Sequence, residues 1–251
     1  MQSHKGARER LCDFVVFGRN DSVKLEVKWD SLILKRTMKL KTIPYPTYLT
    51  QIPADGHHIL AQQTSEHILV YQAFHPSIAN CAVTHQRFGG PNYRFGRMTW
   101  IKPNFLWMMY RCGWASKPNQ ESVLGIWITK RGFLDILKAA VYSSYQPEIY
   151  TSREAWKQRV NESDVRLQWD PDHDPYGEKQ ARRAIQLGLR GKILDRFHGE
   201  MIAEIIDLTE FVREQKRLLD ADGSNALIVP QETSFDVSDS QLRDRLRLSE
   251  G

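Results

Sequence analysis

The distribution of apolar and polar residues predicts short strands and helices in an irregular order. Residues 67–74, His-Ile-Leu-Val-Tyr-Gln-Ala-Phe, form a continuous apolar run that is typical of a buried strand. Residues 123–128, 165–169 and 183–189 are further predicted strands. Because strands and helices alternate irregularly, we expect an α+β fold. The predicted architecture is a mixed, mostly antiparallel split sheet of short strands with flanking helices.

Proline, glycine and capping residues indicate where the helices begin and end. Prolines begin predicted helices over residues 76–82 and 103–112, and Gly113 can cap the second of these. Ser152 is the predicted N-cap of another helix. Apolar residues at helical spacing predict the remaining helices at residues 132–142, about 192–206 and 208–221.

Three regions are expected along the chain. Residues 1–45 form a basic N-terminal extension, within which residues 13–29 alternate as in a β-hairpin, and two prolines near its end indicate a linker. Residues 46–222 are the predicted main α+β domain. Residues 223–251 carry few large apolar side chains, so we expect a disordered tail.

Several classes of protein are disfavoured by what the sequence lacks. It has no run of about 18 apolar residues, and its first ten residues contain no apolar segment of the kind found in signal peptides, which predicts an intracellular protein, cytoplasmic or nuclear, without a membrane partner. Three dispersed cysteines without a Cys-x-x-Cys pair argue against a disulfide framework and a zinc site. Gly-x-Ser-x-Gly, P-loop, His-Glu-x-x-His and dinucleotide-binding glycine motifs are all missing.

The net charge of +5 is unevenly distributed. Residues 1–45 hold 10 of the 35 Lys and Arg but 5 of the 30 Asp and Glu, which leaves 25 of each in the remaining chain. The extension could therefore attract phosphate or an acidic partner, or it could simply be solvated.

Residues 97–114 interleave aromatic rings with fixed positive charges. Such a surface suits a nucleotide, because rings stack on a base while Arg and Lys neutralise phosphate. The alternative is that most of these rings are the core of a buried helix. Nearby, residues 170–175 offer three carboxylates and an imidazole, for which a solvated turn is favoured over a cation site, so no metal is expected. The residues of the aromatic and basic segment are Trp100, Phe105, Trp107, Tyr110 and Trp114 with Arg97, Lys102 and Arg111.

Four segments together resemble domain-of-unknown-function family 4291, which is found in bacteria and fungi. They are residues 71–73, 97–114, 168–171 and 183–189, and the resemblance runs from about residue 45 to 212. The family looks like a divergent ADP-ribosyltransferase fold, in which short strands are split around a cleft for NAD.

The resemblance implies NAD as the cofactor and a role for each candidate residue. It places Tyr71 against nicotinamide and Gln186 near the ribose, with Glu121 as a possible carboxylate in its place, since a carboxylate stabilises positive charge on the ribose better than an amide. Where the family often has Arg first and Tyr last, this chain has His57 and Gln63, which implies weakened or lost activity. The candidate cofactor-binding residues are His57, His58, Arg97, Trp100, Lys102, Trp107, Arg111 and Arg183.

Two classes of function follow from these residues. The first is an NAD-dependent ADP-ribosyltransferase that acts on a protein or nucleic acid, or an inactive member of such a family. The second is a non-catalytic module that binds RNA or another polyanion. If Tyr71, Arg97, Lys102 and Gln186 converge in one cleft, a small-molecule site is favoured, and if the basic groups spread over an open face, a polymer is favoured.

Overall fold

A computed structural model describes residues 38–250 of the chain, and the hairpin predicted at residues 13–29 lies outside them. Within the described part, no helix is long and apolar enough to cross a membrane. In chain order the elements are β1 (Thr42–Pro44), α1 (Tyr45–Gln51), β2 (Leu60–Ala61), β3 (His67–Phe74), α2 (Pro76–His85), β4 (Thr99–Ile101), α3 (Phe105–Cys112), β5 (Ser122–Thr129), α4 (Lys130–Ala139), β6 (Ala140–Tyr142), α5 (Arg153–Glu162), β7 (Val165–His173), β8 (Lys179–Leu189), α6 (Gly191–Arg196), a π-helical turn (Phe197–Met201), β9 (Ile202–Asp207), α7 (Thr209–Asp222), a 3₁₀ turn (Ser224–Ala226), β10 (Ile228–Pro230), β11 (Thr233–Ser234) and α8 (Ser240–Leu246).

The strands of the described residues pair into four small sheets. The larger two have the orders β3-β5-β9 and β4-β8-β7-β6, and β6 with β7 is the one parallel pair among these named strands. Tyr71 and Lys102 join the two larger sheets through backbone hydrogen bonds of 2.7 and 3.2 Å. The predicted α+β fold with small, mostly antiparallel sheets is confirmed.

Two hydrophobic clusters lie on opposite faces of the β3-β5-β9 sheet. Ile68 and Val70 on β3 point into one cluster, while Leu69 and Tyr71 point into the other. A strand that is covered on both faces needs apolar residues at successive positions, which explains the uninterrupted run at residues 67–74.

Three predicted elements are wrong over part of their length, because strand pairing overrides the local pattern there. The helix predicted over residues 132–142 ends at Ala139, since the next three residues form β6 against β7. The helix predicted over about 192–206 gives way to β9, which pairs with β5. The turn predicted at residues 170–175 is β7 as far as His173, held by its register with β8.

The disordered tail predicted at residues 223–251 is also wrong for its described part. Residues 224–250 contribute two strands and α8, and most of their few large apolar side chains are buried, although Ile228 is 40% exposed. The expected linker before residue 46 is likewise structured: β1 pairs with β10, and a proline in the first turn suits α1. The buried side chains of the C-terminal segment are Leu227, Val229, Phe235, Val237, Leu242 and Leu246.

Candidate functional site

A pocket of about 280 Å³ opens beside β7, at the point where β6 ends. Its lining combines basic side chains, two aromatic rings and two hydroxyl groups, and it is called the His57–Arg183 pocket below. The lining residues used here are His57, Arg183, Arg247, Trp169, Tyr142, Ser143, Ser144 and Gln168.

Backbone contacts bring the two residues that name the pocket together. His57 and Arg183 form a parallel bridge, and the Arg183 N–H donates to the Gly56 carbonyl at 2.8 Å. The imidazole of His57 meets the Trp169 indole edge-on, with ring centroids 5.0 Å apart. Residues from distant parts of the sequence therefore share one wall.

The C-terminal segment completes that wall. The Leu246 carbonyl accepts hydrogen bonds from the Trp169 indole and from the Tyr142 hydroxyl, both at 3.1 Å. Arg247 then turns in the left-handed region with φ 57°, and its guanidinium lies 3.7 Å from the Glu148 carboxylate at the protein surface. The fold of α8 thus positions an arginine at the pocket.

The pocket favours an anionic ligand. Its lining includes His57, Arg183 and Arg247 but no Asp or Glu among the described residues. Burial, and after it the positive charges of Arg247 and Arg183, lower the pKa of His57. A neutral imidazole beside two guanidinium groups can exchange hydrogen bonds with a ligand whose charge the arginines neutralise.

A second group of polar side chains, called the Asp170 cluster, consists of Gln168, Asp170, Gln186 and Lys102. The Asp170 carboxylate accepts from Gln186 Nε2 at 2.7 Å and from Gln168 Nε2 at 2.8 Å. The glutamines face each other in the register of β7 and β8. Two amide donors therefore fix the orientation of one carboxylate.

Lys102 lies on the same face of the sheet as this carboxylate and interacts with it electrostatically. It follows Ile101, which pairs with Leu187, so its place in the register is beside Gln186. Its side chain is 5% exposed, and burial lowers its pKa to about 8, with Arg111 also lowering the pKa and Asp170 opposing this. Perturbed lysines of this kind occur at functional sites.

The pocket and the Asp170 cluster lie on opposite faces of β8. Gln186 pairs with Gln168 and Arg183 pairs with Pro171, so the odd spacing of 183 and 186 directs their side chains to different faces. Arg183 and Gln186, which the resemblance assigns to one NAD cleft, therefore lie on different faces of β8. Gln168 links the two sites, because it lines the pocket and its amide donates to Asp170.

Tyr71 and Trp107 belong to the core in this structure. Tyr71 is fully buried, and its ring packs edge-on against Phe105 with centroids 5.6 Å apart. Trp107 is 5% exposed and stacks on His173. A ligand cannot reach the Tyr71 ring here, so the predicted contact with nicotinamide is corrected. Sequence alternation could not show this, because β3 is buried on both faces.

The other predicted residues are scattered. Arg97 and Arg111 are exposed, whereas His58 is 8% exposed and lies outside the pocket lining. Glu121 accepts the Asn119 N–H at 2.9 Å in the turn before β5 and makes no hydrogen bond to the Asp170 cluster among the described residues.

Trp100 does reach the face that carries the Asp170 cluster. It pairs with Gly188, where an added Cβ would lie 3.0 Å from indole atoms. The absence of a side chain at Gly188 therefore makes room for this ring on the sheet.

Several residues of these sites were not predicted from the sequence. Gln168, Trp169 and Asp170 stand in one strand, and their alternation opposite Gln186 was a usable signal. Arg247 gave no such signal, because it follows a short helix in a polar segment.

The fold and sites define an α+β domain with a basic, aromatic-walled pocket. The chain belongs to the family described as domain of unknown function (DUF4291), whose profile matches residues 58–235. The match continues past the predicted limit of residue 212 into the C-terminal segment. No curated protein matches the chain.

Proposed function

We propose that the protein binds a nucleotide, with NAD as the leading candidate, and transfers its ADP-ribosyl group to a protein or nucleic acid. The observation that carries the proposal is the His57–Arg183 pocket, in which two arginines and a neutral histidine surround an indole wall. Guanidinium groups bind phosphate through paired hydrogen bonds, and an indole face suits a flat base or nicotinamide. A volume of about 280 Å³ suits one half of a dinucleotide.

The Asp170 cluster supplies the group that the transfer requires. In that reaction the bond between nicotinamide and ribose C1′ breaks, nicotinamide leaves with the bonding electrons, and the acceptor atom bonds to C1′ as it loses its proton. Positive charge develops at C1′, and a carboxylate held by two donors stabilises that charge without reorganising. Asp170 takes this role in the proposal, and Gln186 positions it.

Gln168 connects the His57–Arg183 pocket, where the nucleotide would bind, with the Asp170 carboxylate, where the transfer would occur. Its backbone and side chain stand at the edge of β7 that β6 leaves uncovered beyond Leu167, between the pocket and Asp170. A ligand with phosphates at Arg183 and Arg247 would extend past this edge to the carboxylate.

Thermal shift and nicotinamide release test the proposal. We expect NAD and ADP-ribose to raise the melting temperature of the full chain. Arg183→Gln and Arg247→Gln should each weaken binding about tenfold or more, because a hydrogen bond to a charged group is lost. Asp170→Asn should bind NAD as before but release no nicotinamide.

Arg213→Gln is the matched control, since Arg213 is exposed on α7 and paired with Glu210. This variant should behave as wild type in both assays. No stabilisation by NAD or ADP-ribose, together with no nicotinamide release, would exclude the proposal.

A further inference from the structure

The loop of residues 87–98, between α2 and β4, is strongly basic for its length. Arg87, Arg94 and Arg97 are all exposed, and the loop contains no Asp or Glu. None of the three takes part in an ion pair within the described residues. Residues 46–251 as a whole carry equal numbers of acidic and basic side chains, so this loop is a local concentration of positive charge.

An aromatic ring stands between two of these arginines. Phe95 is 53% exposed, which is unusual for a large apolar side chain. Its ring contacts Tyr93 and His198 only edge-on, with centroids 5.0 and 5.4 Å apart. These contacts hold the ring at the surface while leaving much of it open to a partner.

The rest of the loop is fixed from beneath. The Tyr93 hydroxyl is hydrogen-bonded to His198 Nε2 at 2.8 Å, and the Tyr93 ring stacks on Phe88, which is 3% exposed. Asn92 Nδ2 donates to Ser77 Oγ at 2.9 Å. His198 lies in the π-helical turn, a feature that is frequent at functional sites. Such anchoring reduces the entropy that the loop would lose on binding.

We propose that the loop of residues 87–98 is a docking surface for single-stranded nucleic acid. Phosphates would contact Arg94 and Arg97, and a base would stack on Phe95. This combination of cations and an exposed ring is the recurring means of binding single strands without sequence preference. An acidic peptide would have no use for the ring, and a membrane would require more than one exposed apolar side chain. The proposal does not depend on the nucleotide pocket.

Fluorescence anisotropy with labelled single-stranded RNA and DNA oligonucleotides tests this surface in the full chain. Phe95→Ala should weaken binding about tenfold, in line with the loss of one stacked base, and should leave the salt dependence unchanged. The double variant Arg94→Gln, Arg97→Gln should weaken binding and should also lower the slope of log affinity against log salt by about one to two, because two phosphate contacts are lost. Comparing the affinities for the RNA and the DNA oligonucleotides shows which nucleic acid is preferred.

The double variant Arg213→Gln, Arg217→Gln on α7 removes the same charge from another exposed surface and should bind as wild type. Every variant keeps the basic extension of residues 1–45. Differences in oligonucleotide affinity between variants therefore measure the contribution of the loop. The inference is overturned if the Arg94 and Arg97 double variant matches this control. It is also overturned if Phe95→Ala has no effect, or if anionic vesicles or an acidic peptide bind with the same dependence on both loop changes. The loop variants should keep any rise in melting temperature that NAD causes, because the loop is not part of the proposed nucleotide pocket. This measurement distinguishes a failure of the docking surface from a failure of the proposed function.

Discussion

Lys102 carries an ammonium group in a nearly closed environment. The Trp100 carbonyl, 3.4 Å from Nζ, is its one hydrogen-bond partner among the described residues. A buried cation with so little compensation destabilises the fold. In the proposed function, the negative charge of a bound ligand would supply the missing partner.

Replacing Lys102 with methionine keeps the length of the side chain and removes its charge. The lowered pKa means that the folded protein binds this proton less tightly than the unfolded chain does. The resulting penalty is complete below about pH 8 and fades as the pH rises towards 10.5. We expect Lys102→Met to raise the free energy of unfolding at neutral pH by about 2–3 kcal/mol, and by much less near pH 10.

Urea denaturation at both pH values measures this difference. Lys39→Met, at an exposed position, should change stability by less than about 0.5 kcal/mol at either pH. A gain from Lys102→Met that is the same at both pH values would show that ammonium burial is not its cause.

For single residues, the sequence indicated which charged side chains to consider for a site, but it did not indicate which groups surround them in the fold. It named Lys102 as a candidate cofactor-binding residue, and in the structure Lys102 is buried and its pKa is influenced by Asp170. It also grouped Arg183 with Gln186, which the alternation of β8 separates. The resemblance implied that Tyr71 contacts nicotinamide, but it does not reveal which of the two covered faces of β3 the ring enters.

Helix α3 shows how a capping residue can serve two elements at once. Asn104 Oδ1 accepts the Trp107 N–H at 2.7 Å, and Asn104 Nδ2 donates to the buried carboxylate of Glu232 at 3.1 Å. Glu232 also accepts from Phe105 N–H at 2.6 Å and from the Tyr48 hydroxyl at 2.8 Å. The start of α3 is therefore fixed to the segment that precedes β11.

Asn104→Ala should lower the free energy of unfolding by about 2–4 kcal/mol, because a helix cap is lost and a buried carboxylate loses a donor. Ser152→Ala, which removes the 3.1 Å cap of α5, should cost only about 0.5–1 kcal/mol, since α5 buries none of its residues. Chemical denaturation of both variants gives the comparison. Equal losses would mean that the contact with Glu232 contributes nothing to stability.

Elements with a strong apolar pattern could be predicted from the sequence. Elements whose type depends on the strand that they pair with could not. The strand at residues 67–74 and the helices that start at Pro76 and after Ser152 are confirmed. Residues 140–142 and 202–207 also have apolar residues that suit a helix. Pairing with β7 and β5 makes them strands, and a local pattern does not contain that information.

The whole molecule depends on its C-terminal segment. Leu242 and Leu246 are 4% and 1% exposed in the core, and β11 pairs with β2. The sequence predicted disorder here because apolar residues are sparse, yet most of the large ones are buried. Composition records how many apolar residues a segment has and not where they point.

Ending the chain after Ser238 should lower the free energy of unfolding by about 4 kcal/mol or more, since two buried leucines are removed. It should also abolish any stabilisation by NAD, because Arg247 and the acceptor for Trp169 are lost. Arg247→Gln should leave stability within about 0.5 kcal/mol of wild type while weakening the ligand. Calorimetry with and without NAD measures both effects, and a truncated chain of wild-type stability would contradict the role given to α8.

The hydrogen bond between His57 and Ser249 spans 192 positions of the chain at 2.9 Å. Ribosomes make proteins from the amino end, so a growing chain presents His57 long before Arg247 and Ser249 exist. In the proposed function, nucleotide binding at this pocket would therefore have to wait until Arg247 and Ser249 have been made.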